Sequence, residues 1–233
     1  AVLVARSLDT GSGWGFGFYR ALGQPGRTGA RLADPAAAAG NSLAIALAAT
    51  GIALVVGLLA AAVIAYRRGR ASRWFDTLLM LPLGTSAVTI GFGFIVALDA
   101  PIDLRSSWVL LPLAHALVAV PFVVRAVVPV MRAVRTRLRE AAAVLGAPPR
   151  RVWREVDLPL VARAAAVGAG FAFAVSLGEF GATAFVARPD APTLPLAIFR
   201  FLGQPGALNF GRAMAMSVIL MIVTAMAVGL IDR

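Results

Sequence analysis

The chain alternates long apolar runs with short polar connections. Each run comes close to the 20 or so apolar residues that a helix needs to cross a hydrocarbon core. The predicted spans cover residues 42–66, 75–98, 108–130, 161–187 and 213–231. With 60% hydrophobic residues and a mean hydropathy of +0.84, the chain is more apolar than an ordinary soluble domain. We therefore predict an all-α fold, a polytopic transmembrane helical bundle of about five spans.

The connection between the third and fourth spans, residues 132–160, is long and amphipathic. Its apolar side chains recur at helical spacing, and arginines lie toward the opposite side. The apolar stripe consists of Leu138, Ala141, Ala142 and Leu145. Gly146 suits the left-handed position after a helix end, and Pro149 can open a second short helix. The pattern predicts helix, break, helix, with a stripe that either fills a groove on a soluble partner or lies on anionic lipid.

The same connection carries residues at a recognisable spacing. They read Glu140-Ala141-Ala142, then Gly146, then Val156-Asp157-Leu158-Pro159. The set resembles the cytoplasmic coupling loop of permeases in binding-protein-dependent ABC importers, with valine at 156 where that family usually carries isoleucine. Residues 176–195, which begin Ser-Leu-Gly-Glu-Phe-Gly, are similar to the corresponding stretch of the ferric-iron, thiamine, molybdate and sulfate permeases. The resemblance covers residues 41–231 and implies a multi-pass permease of the bacterial inner membrane.

The resemblance implies that residues 135–159 dock into a groove on a separate ATPase. The docking candidates are Leu138, Glu140, Ala141, Ala142, Leu145, Gly146, Val152, Trp153, Val156, Leu158 and Pro159. Glu140 would orient the helix or bind a basic partner residue, although a helix-surface pair with Arg137 is an alternative. Rocking of the loop would switch the permease between inward-facing and outward-facing states.

The resemblance also implies the other members of the complex. An ATPase dimer would hold ATP and Mg, so this chain itself would bind no cofactor and no metal. A second permease half, fused or separate, and an extracytoplasmic solute-binding protein would complete the importer in the bilayer. The resemblance favours ferric iron or thiamine as the solute, with a molybdate- or sulfate-type oxyanion as the alternative.

Charge patterning predicts the orientation. All 22 basic residues are arginine, and the densest clusters lie within residues 67–73 and 132–163. The positive-inside rule places both clusters on the cytoplasmic side, which leaves residues 1–41, 99–107 and 188–212 outside. Topology therefore accounts for the net charge of +11, and no nucleic-acid partner is expected.

The first 41 residues differ in composition from the rest of the chain. They are rich in Gly, Ala, Pro and Arg, and they open on a short apolar stretch at residues 1–5. We predict that residues 1–41 form an extracytoplasmic N-terminal segment after a truncated helix, and that residues 9–40 have little regular structure. Residues 42–231 are predicted to form the permease domain, with the coupling loop at 132–160.

Composition excludes several kinds of chemistry. Without lysine the chain cannot form the G-x4-G-K-[ST] loop that binds ATP phosphates, and without cysteine it has no disulfide or thiolate site. One histidine and few buried carboxylates offer little to a membrane enzyme, so we predict that the chain is not an enzyme. A purely structural membrane subunit is the alternative in another class, although it would not require the module at 132–160.

Two ionisable residues lie at depth within the predicted spans. Glu179 is about eight residues from the outer end of its span, roughly 12 Å below the surface, where a charge is costly. His115 reaches a similar depth, so a pair with Glu179 is geometrically permitted. Gly178 and Gly181 flank Glu179 and would let a helix or solute approach. These four residues are the pathway or gate candidates; the alternatives are a backbone or hydroxyl partner for Glu179 and a helix carbonyl for His115.

Overall fold

The computed structural model describes residues 2–11, 13–24, 34–67, 69–98, 107–133, 137–187 and 191–231. Within these ranges the chain is helical, apart from turns and one isolated β-bridge between Asp9 and Trp14. The helices are α1 (Val2–Leu8), α2 (Gly17–Ala21), α3 (Pro35–Tyr66), α4 (Arg70–Gly84), α5 (Ala87–Ala97), α6 (Leu110–Ala133), α7 (Arg137–Val144), α8 (Pro149–Val152), α9 (Leu158–Gly178), α10 (Gly181–Val186), α11 (Leu194–Leu202) and α12 (Ala207–Ile231). The predicted all-α fold is confirmed.

Four helices in the described residues are long and apolar enough to cross a membrane by length and composition. They are Pro35–Tyr66, Leu110–Ala133, Pro149–Gly178 and Ala207–Gly229. The pair α4 and α5 would make a fifth span, but the two helices are bent by 107° at a short break. The prediction of about five spans therefore holds, whereas the prediction of one continuous span over residues 75–98 is wrong.

Local backbone chemistry explains the break between α4 and α5. Pro82 lies inside the last turn of α4 and has no N–H to donate to the carbonyl of Leu78, which weakens this turn. The N–H of Thr85 donates to the carbonyl of Pro82 at 3.3 Å, which is a tighter turn than an α-helix makes. Thr85 then donates its hydroxyl to the carbonyl oxygen of Leu81 at 2.8 Å. Ser86 adopts an extended backbone with ψ of 131° before α5 begins. Side-chain hydrogen bonds of this kind compete with the backbone bonds that would continue a helix. The chain therefore turns sharply within a stretch whose apolar composition predicts one continuous span.

The centre of the bundle is formed by α3, α6 and α9. Its fully buried side chains are mostly small or β-branched, and they include Ala53, Ala61, Ala119, Val123 and Ala172. Small residues let helix backbones approach closely, which matters in a bilayer because burial from water does not drive helices together there. The core is therefore held by close packing.

The N-terminal part has more regular structure than its composition indicates. The short helices α1 and α2 precede α3, which begins at Pro35 and not at residue 42. Asp34 caps α3 by accepting the N–H of Ala36 at 3.0 Å. Helix α1 agrees with the helix predicted for the apolar stretch at residues 1–5. The prediction of little regular structure is wrong for α2 and for the first turns of α3, while residues 25–33 lie outside the described residues.

A second apolar cluster joins the N-terminal part to the end of the chain. Leu22 packs with Phe201 of α11 and with Ala213 and Met216 of α12. The predicted outer connection at residues 188–212 thus contains α11 and the first turns of α12. As a result, the last predicted span begins at Ala207 instead of residue 213.

Candidate functional site

The predicted coupling loop contains the helix, break and helix that the sequence indicates. Helix α7 ends in a turn in which the N–H of Ala147 donates to the carbonyl of Ala142 at 3.0 Å. Gly146 occupies the left-handed position of this turn with φ of 76°. This arrangement is a Schellman motif, in which glycine avoids the Cβ penalty of left-handed backbone. The predicted conformation of Gly146 is confirmed.

The second half of the loop runs directly into the next span. Pro149 opens α8, and the N–H groups of Arg151 and Val152 donate to the carbonyl of Pro148 at 2.9 and 3.2 Å. A π-helical turn, Trp153–Asp157, continues without interruption into α9. The segment Pro149–Gly178 therefore forms one helical element of 30 residues. The fourth span was predicted to begin at residue 161, and this start is too late.

The docking candidates divide into exposed and buried side chains. Leu145 is 86% exposed and Trp153 is 52% exposed, whereas Val152 is only 8% exposed. Val152 packs inward in this conformation, so it is not available to fill a partner's groove as predicted. Glu140, Ala141, Gly146, Leu158 and Pro159 are exposed, while Ala142 and Val156 are half-buried. The side chains of Leu138 and of Arg137, the alternative partner of Glu140, lie outside the described residues.

Glu179 lies at a second helix break, between α9 and α10. Its Oε1 accepts the N–H of Ala182 at 3.0 Å, and its carbonyl oxygen accepts the hydroxyl of Thr183 at 2.8 Å. The carboxylate therefore caps the start of α10, which is the backbone partner that the sequence left as an alternative. The predicted continuous span over residues 161–187 is wrong, because α9 ends at Gly178.

His115 connects α6 to both sides of that break. Its Nδ1 is hydrogen-bonded to Ser176 Oγ and its Nε2 to Thr183 Oγ1, each at 2.8 Å. The imidazole is buried, with 2% of the residue exposed. Both ring nitrogens thus have hydroxyl partners, and the imidazole also interacts with the backbone of Ser176 in α9. His115 and Glu179 do not pair directly, but both contact Thr183.

Two glycines allow α5 and α10 to touch through their backbones. A Cβ on Gly91 would lie 2.8 Å from the Cα of Ala182, and a Cβ on Gly181 would lie 3.0 Å from the backbone nitrogen of Val88. The expectation that a helix approaches at Gly181 is confirmed. Gly178 faces open space, since a Cβ there would meet no described atom within 4 Å, so no helix in the described part of the chain approaches at this position.

Sequence reasoning did not single out Ser176 and Thr183 as partners of His115. The available signal was their position, three residues before and four residues after Glu179. This spacing places one hydroxyl on each side of the break at Glu179. That both hydroxyls bond to His115 follows only from the packing of α6 against the break.

Comparison with known proteins identifies the bundle. Residues 53–232 match the family described as binding-protein-dependent transport system inner membrane component. The chain belongs to this family. The match includes the whole coupling loop and both helix breaks, so this permease is an inner-membrane transport subunit.

Individual members of the family are also similar in sequence to this chain. ModB, the molybdenum transport system permease of Mycobacterium tuberculosis, is 33% identical over 202 residues, covering 80% of this chain and 75% of the relative. ModB of Haemophilus influenzae is 32% identical over 181 residues, covering 71% of this chain and 79% of the relative. PhnV of Salmonella paratyphi A, named for 2-aminoethylphosphonate transport, is 27% identical over 194 residues, covering 82% and 72%.

Proposed function

We propose that this permease imports an oxyanion, with molybdate as the first candidate. The observation that carries the proposal is the 33% identity to a molybdenum permease over 80% of the chain. Molybdenum in neutral water is the tetrahedral molybdate ion, and the phosphonate named for PhnV also carries an oxyanion group. The expectation of ferric iron or thiamine has no counterpart among these relatives, so the oxyanion alternative replaces it.

We further propose that the ATPase docks on the exposed apolar part of the coupling loop. Leu145 and Trp153 present apolar surface at an end of the bundle where Arg150, Arg151 and Arg154 are also exposed. Such a surface suits a groove on a soluble protein, with arginines at its rim. The partner ATPase would supply ATP and Mg, and its closure would move the loop.

The helical continuity of Pro149–Gly178 supports a mechanical route from this loop into the membrane. A displacement at α8 would be carried along α9 to the break at Glu179, because helices transmit movement as nearly rigid elements. There His115 and the glycine contacts link the break to α6 and α5. Together with a second permease half and a solute-binding protein, this movement would open and close the pathway.

The docking proposal is tested by substitutions at two exposed leucines. Leu145→Asp places a charge in the proposed docking surface, and Leu208→Asp is the matched control at the start of α12, 49% exposed. We expect Leu145→Asp to weaken ATPase binding at least about tenfold, a loss of about 1.4 kcal/mol, while Leu208→Asp leaves it unchanged. Gly146→Arg should likewise abolish solute-stimulated ATP hydrolysis without affecting insertion. Equal ATPase co-purification with both leucine variants would rule out docking at Leu145.

The solute is tested by isolating the intact complex from native membranes. Mass spectrometry would identify the ATPase and the solute-binding protein, and elemental analysis would identify the ligand that the latter retains. Molybdenum, sulfur or phosphorus in that ligand supports an oxyanion importer. Retained iron or thiamine would overturn the oxyanion assignment while leaving the permease assignment intact.

A further inference from the structure

Arg212 is a buried cation at the end of the bundle formed by α11 and α12. The residue lies in the second turn of α12, and only 3% of it is exposed. Its Nη1 is 3.5 Å from Asn209 Oδ1, and its Nη2 is 3.5 Å from the carbonyl oxygen of Gln24. The guanidinium carbon lies 5.9 Å from the centre of the Phe201 ring. Nε is buried and has no hydrogen-bond partner among the residues that the structure describes.

These contacts leave the charge poorly compensated. Both hydrogen bonds are at the long limit for N–H···O geometry, and both acceptors are neutral. In the described part of the chain, no carboxylate forms an ion pair with Arg212. Removing a guanidinium from water without a counter-ion is costly. A cation–π contact with Phe201 offsets only a part of that cost.

The position on α12 adds to the imbalance. The contact with Asn209 holds the guanidinium beside the first turn of a helix of 25 residues. The N-terminal end of a helix carries partial positive charge and unsatisfied N–H groups, so it repels a cation and attracts an anion. Burial, the unpartnered Nε and the helix end all favour a negative group at the same place.

We propose that Arg212 forms the base of an oxyanion-binding site at the start of α12. The ligand class is a tetrahedral oxyanion, either a free ion such as molybdate or phosphate, or the phosphate of a lipid headgroup. Nε and one terminal nitrogen would donate two parallel hydrogen bonds to two of its oxygens. The 3.5 Å contact with the Gln24 carbonyl is the one that the oxyanion displaces, because a short charge-assisted bond is stronger than a long neutral one.

The site is separate from the coupling loop and from the broken helices. If the ligand is a free ion, this end of the bundle binds the class of solute proposed above, and Arg212 is a residue that contacts that solute. If the ion is a headgroup, lipid fastens the N-terminal residues around Gln24 to α12. Both sources use the same guanidinium chemistry, and binding to the isolated permease requires neither ATP nor partner proteins. A failure of this site therefore leaves the transport assignment untouched.

The test uses the full-length permease in nanodiscs of phosphate-free glycolipid and, separately, of phosphatidylglycerol. The midpoint of thermal unfolding is measured with sodium molybdate, sodium phosphate or sodium chloride at equal ionic strength. The variants are Arg212→Gln, the conservative Arg212→Lys, and Arg200→Gln on α11 as a control arginine. A ligand that binds only the native state stabilises it by RT ln(1 + L/Kd), where L is the free ligand concentration, so the midpoint rises with the logarithm of ligand concentration above Kd.

In phosphate-free discs we expect molybdate or phosphate to raise the midpoint by at least about 3 °C in the native protein and in Arg200→Gln, with the rise growing as the logarithm of anion concentration. Arg212→Gln should show no such rise, and without anion it should unfold at a higher temperature than the native protein because it lacks the uncompensated charge. Arg212→Lys should retain a smaller rise. A headgroup ligand is indicated if phosphatidylglycerol alone raises the native midpoint and added molybdate has no further effect.

Two results would overturn the proposal. One is an equal response of the native protein and Arg212→Gln to the oxyanions and to both lipids. The other is a lower midpoint for Arg212→Gln in phosphate-free discs without anion, which would make Arg212 a brace between Gln24 and α12. Because the glutamine variant can hydrogen-bond the same neutral acceptors, loss of folding is not the expected outcome.

Discussion

At the scale of single residues, His115 and Glu179 at the second helix break are hydrogen-bonded to hydroxyls and a backbone group. His115 uses both ring nitrogens, one toward Ser176 and one toward Thr183, so it joins α6 to the two helices that flank the break. Glu179 is occupied by the N–H of Ala182. Buried polar groups are stable only when their hydrogen bonds are made, and this network makes them without an ion pair.

We expect His115→Leu to destabilise the permease by about 1–2 kcal/mol. The substitution keeps an apolar side chain of moderate size but leaves the Ser176 and Thr183 hydroxyls without their imidazole partner. Adding Ser176→Ala and Thr183→Val should recover most of that loss, since all the polar partners are then removed together. Chemical unfolding in nanodiscs measures both changes. A triple variant less stable than His115→Leu would show that the hydroxyls depend on other contacts.

At the scale of elements, the two broken spans are organised as a pair. Helices α5 and α10 follow the two breaks, and they touch through their backbones at Gly91 and Gly181. Two short helices with unpaired ends gain stability from each other when small residues let their backbones approach. The pair packs against α6 and α3 through an apolar cluster that includes Leu110, Leu111 and Ile45.

Two glycines on α5 provide a matched test of the contact with α10. In Gly91→Ala the new Cβ would lie 2.8 Å from the Cα of Ala182, whereas in Gly93→Ala it would meet nothing within 4 Å. We expect Gly91→Ala to destabilise by about 1–3 kcal/mol through overpacking. Gly93→Ala should be neutral or stabilising by up to about 1 kcal/mol, because alanine favours the helix. The midpoint of thermal unfolding of both variants measures the difference in stability. Equal midpoints would contradict a close contact between α5 and α10 at Gly91.

At the scale of the whole molecule, the exposed surface divides into an apolar belt and charged ends. The outward side chains of the long helices are mostly apolar, with Arg125 of α6 as an exception. Exposed arginines lie in the coupling loop, at Arg150, Arg151 and Arg154, and around the start of α4, at Arg67, Arg70 and Arg73. This distribution suits an inner-membrane protein whose long apolar helices lie in the bilayer. It also predicts that the coupling loop and the start of α12 lie on opposite sides of the membrane.

The absence of cysteine from the sequence allows a direct test of that orientation. Leu145→Cys and Leu208→Cys each place one thiol at an exposed position, in the coupling loop and at the start of α12. A membrane-impermeant maleimide added to intact spheroplasts should label Leu208→Cys at once. It should label Leu145→Cys only after the membrane is permeabilised. The reverse pattern would place the coupling loop outside and exclude docking to a cytoplasmic ATPase.

Several features could be predicted from the sequence because they depend on neighbouring residues. The apolar runs are long enough to be recognised as spans even where their exact ends are not predicted. The turn at Gly146 requires only a glycine after a run of residues with helical spacing. The family follows from a spaced motif in the same loop. The two helix breaks were not predicted. The hydroxyl of Thr85 and the carboxylate of Glu179 can hydrogen-bond the backbone either within a helix or at a turn, and the sequence does not show which of the two occurs.

Local pattern and length are enough to predict the all-α membrane class, the number of apolar runs, the coupling loop and the family from the residues alone. Three features require the packed helices: Val152 is buried while Leu145 is exposed, His115 contacts two hydroxyls, and Arg212 is enclosed without a carboxylate among the described residues. The physical reason is that partners in these contacts come from helices far apart in the chain. Their meeting depends on how closely the helices pack, which no local pattern specifies.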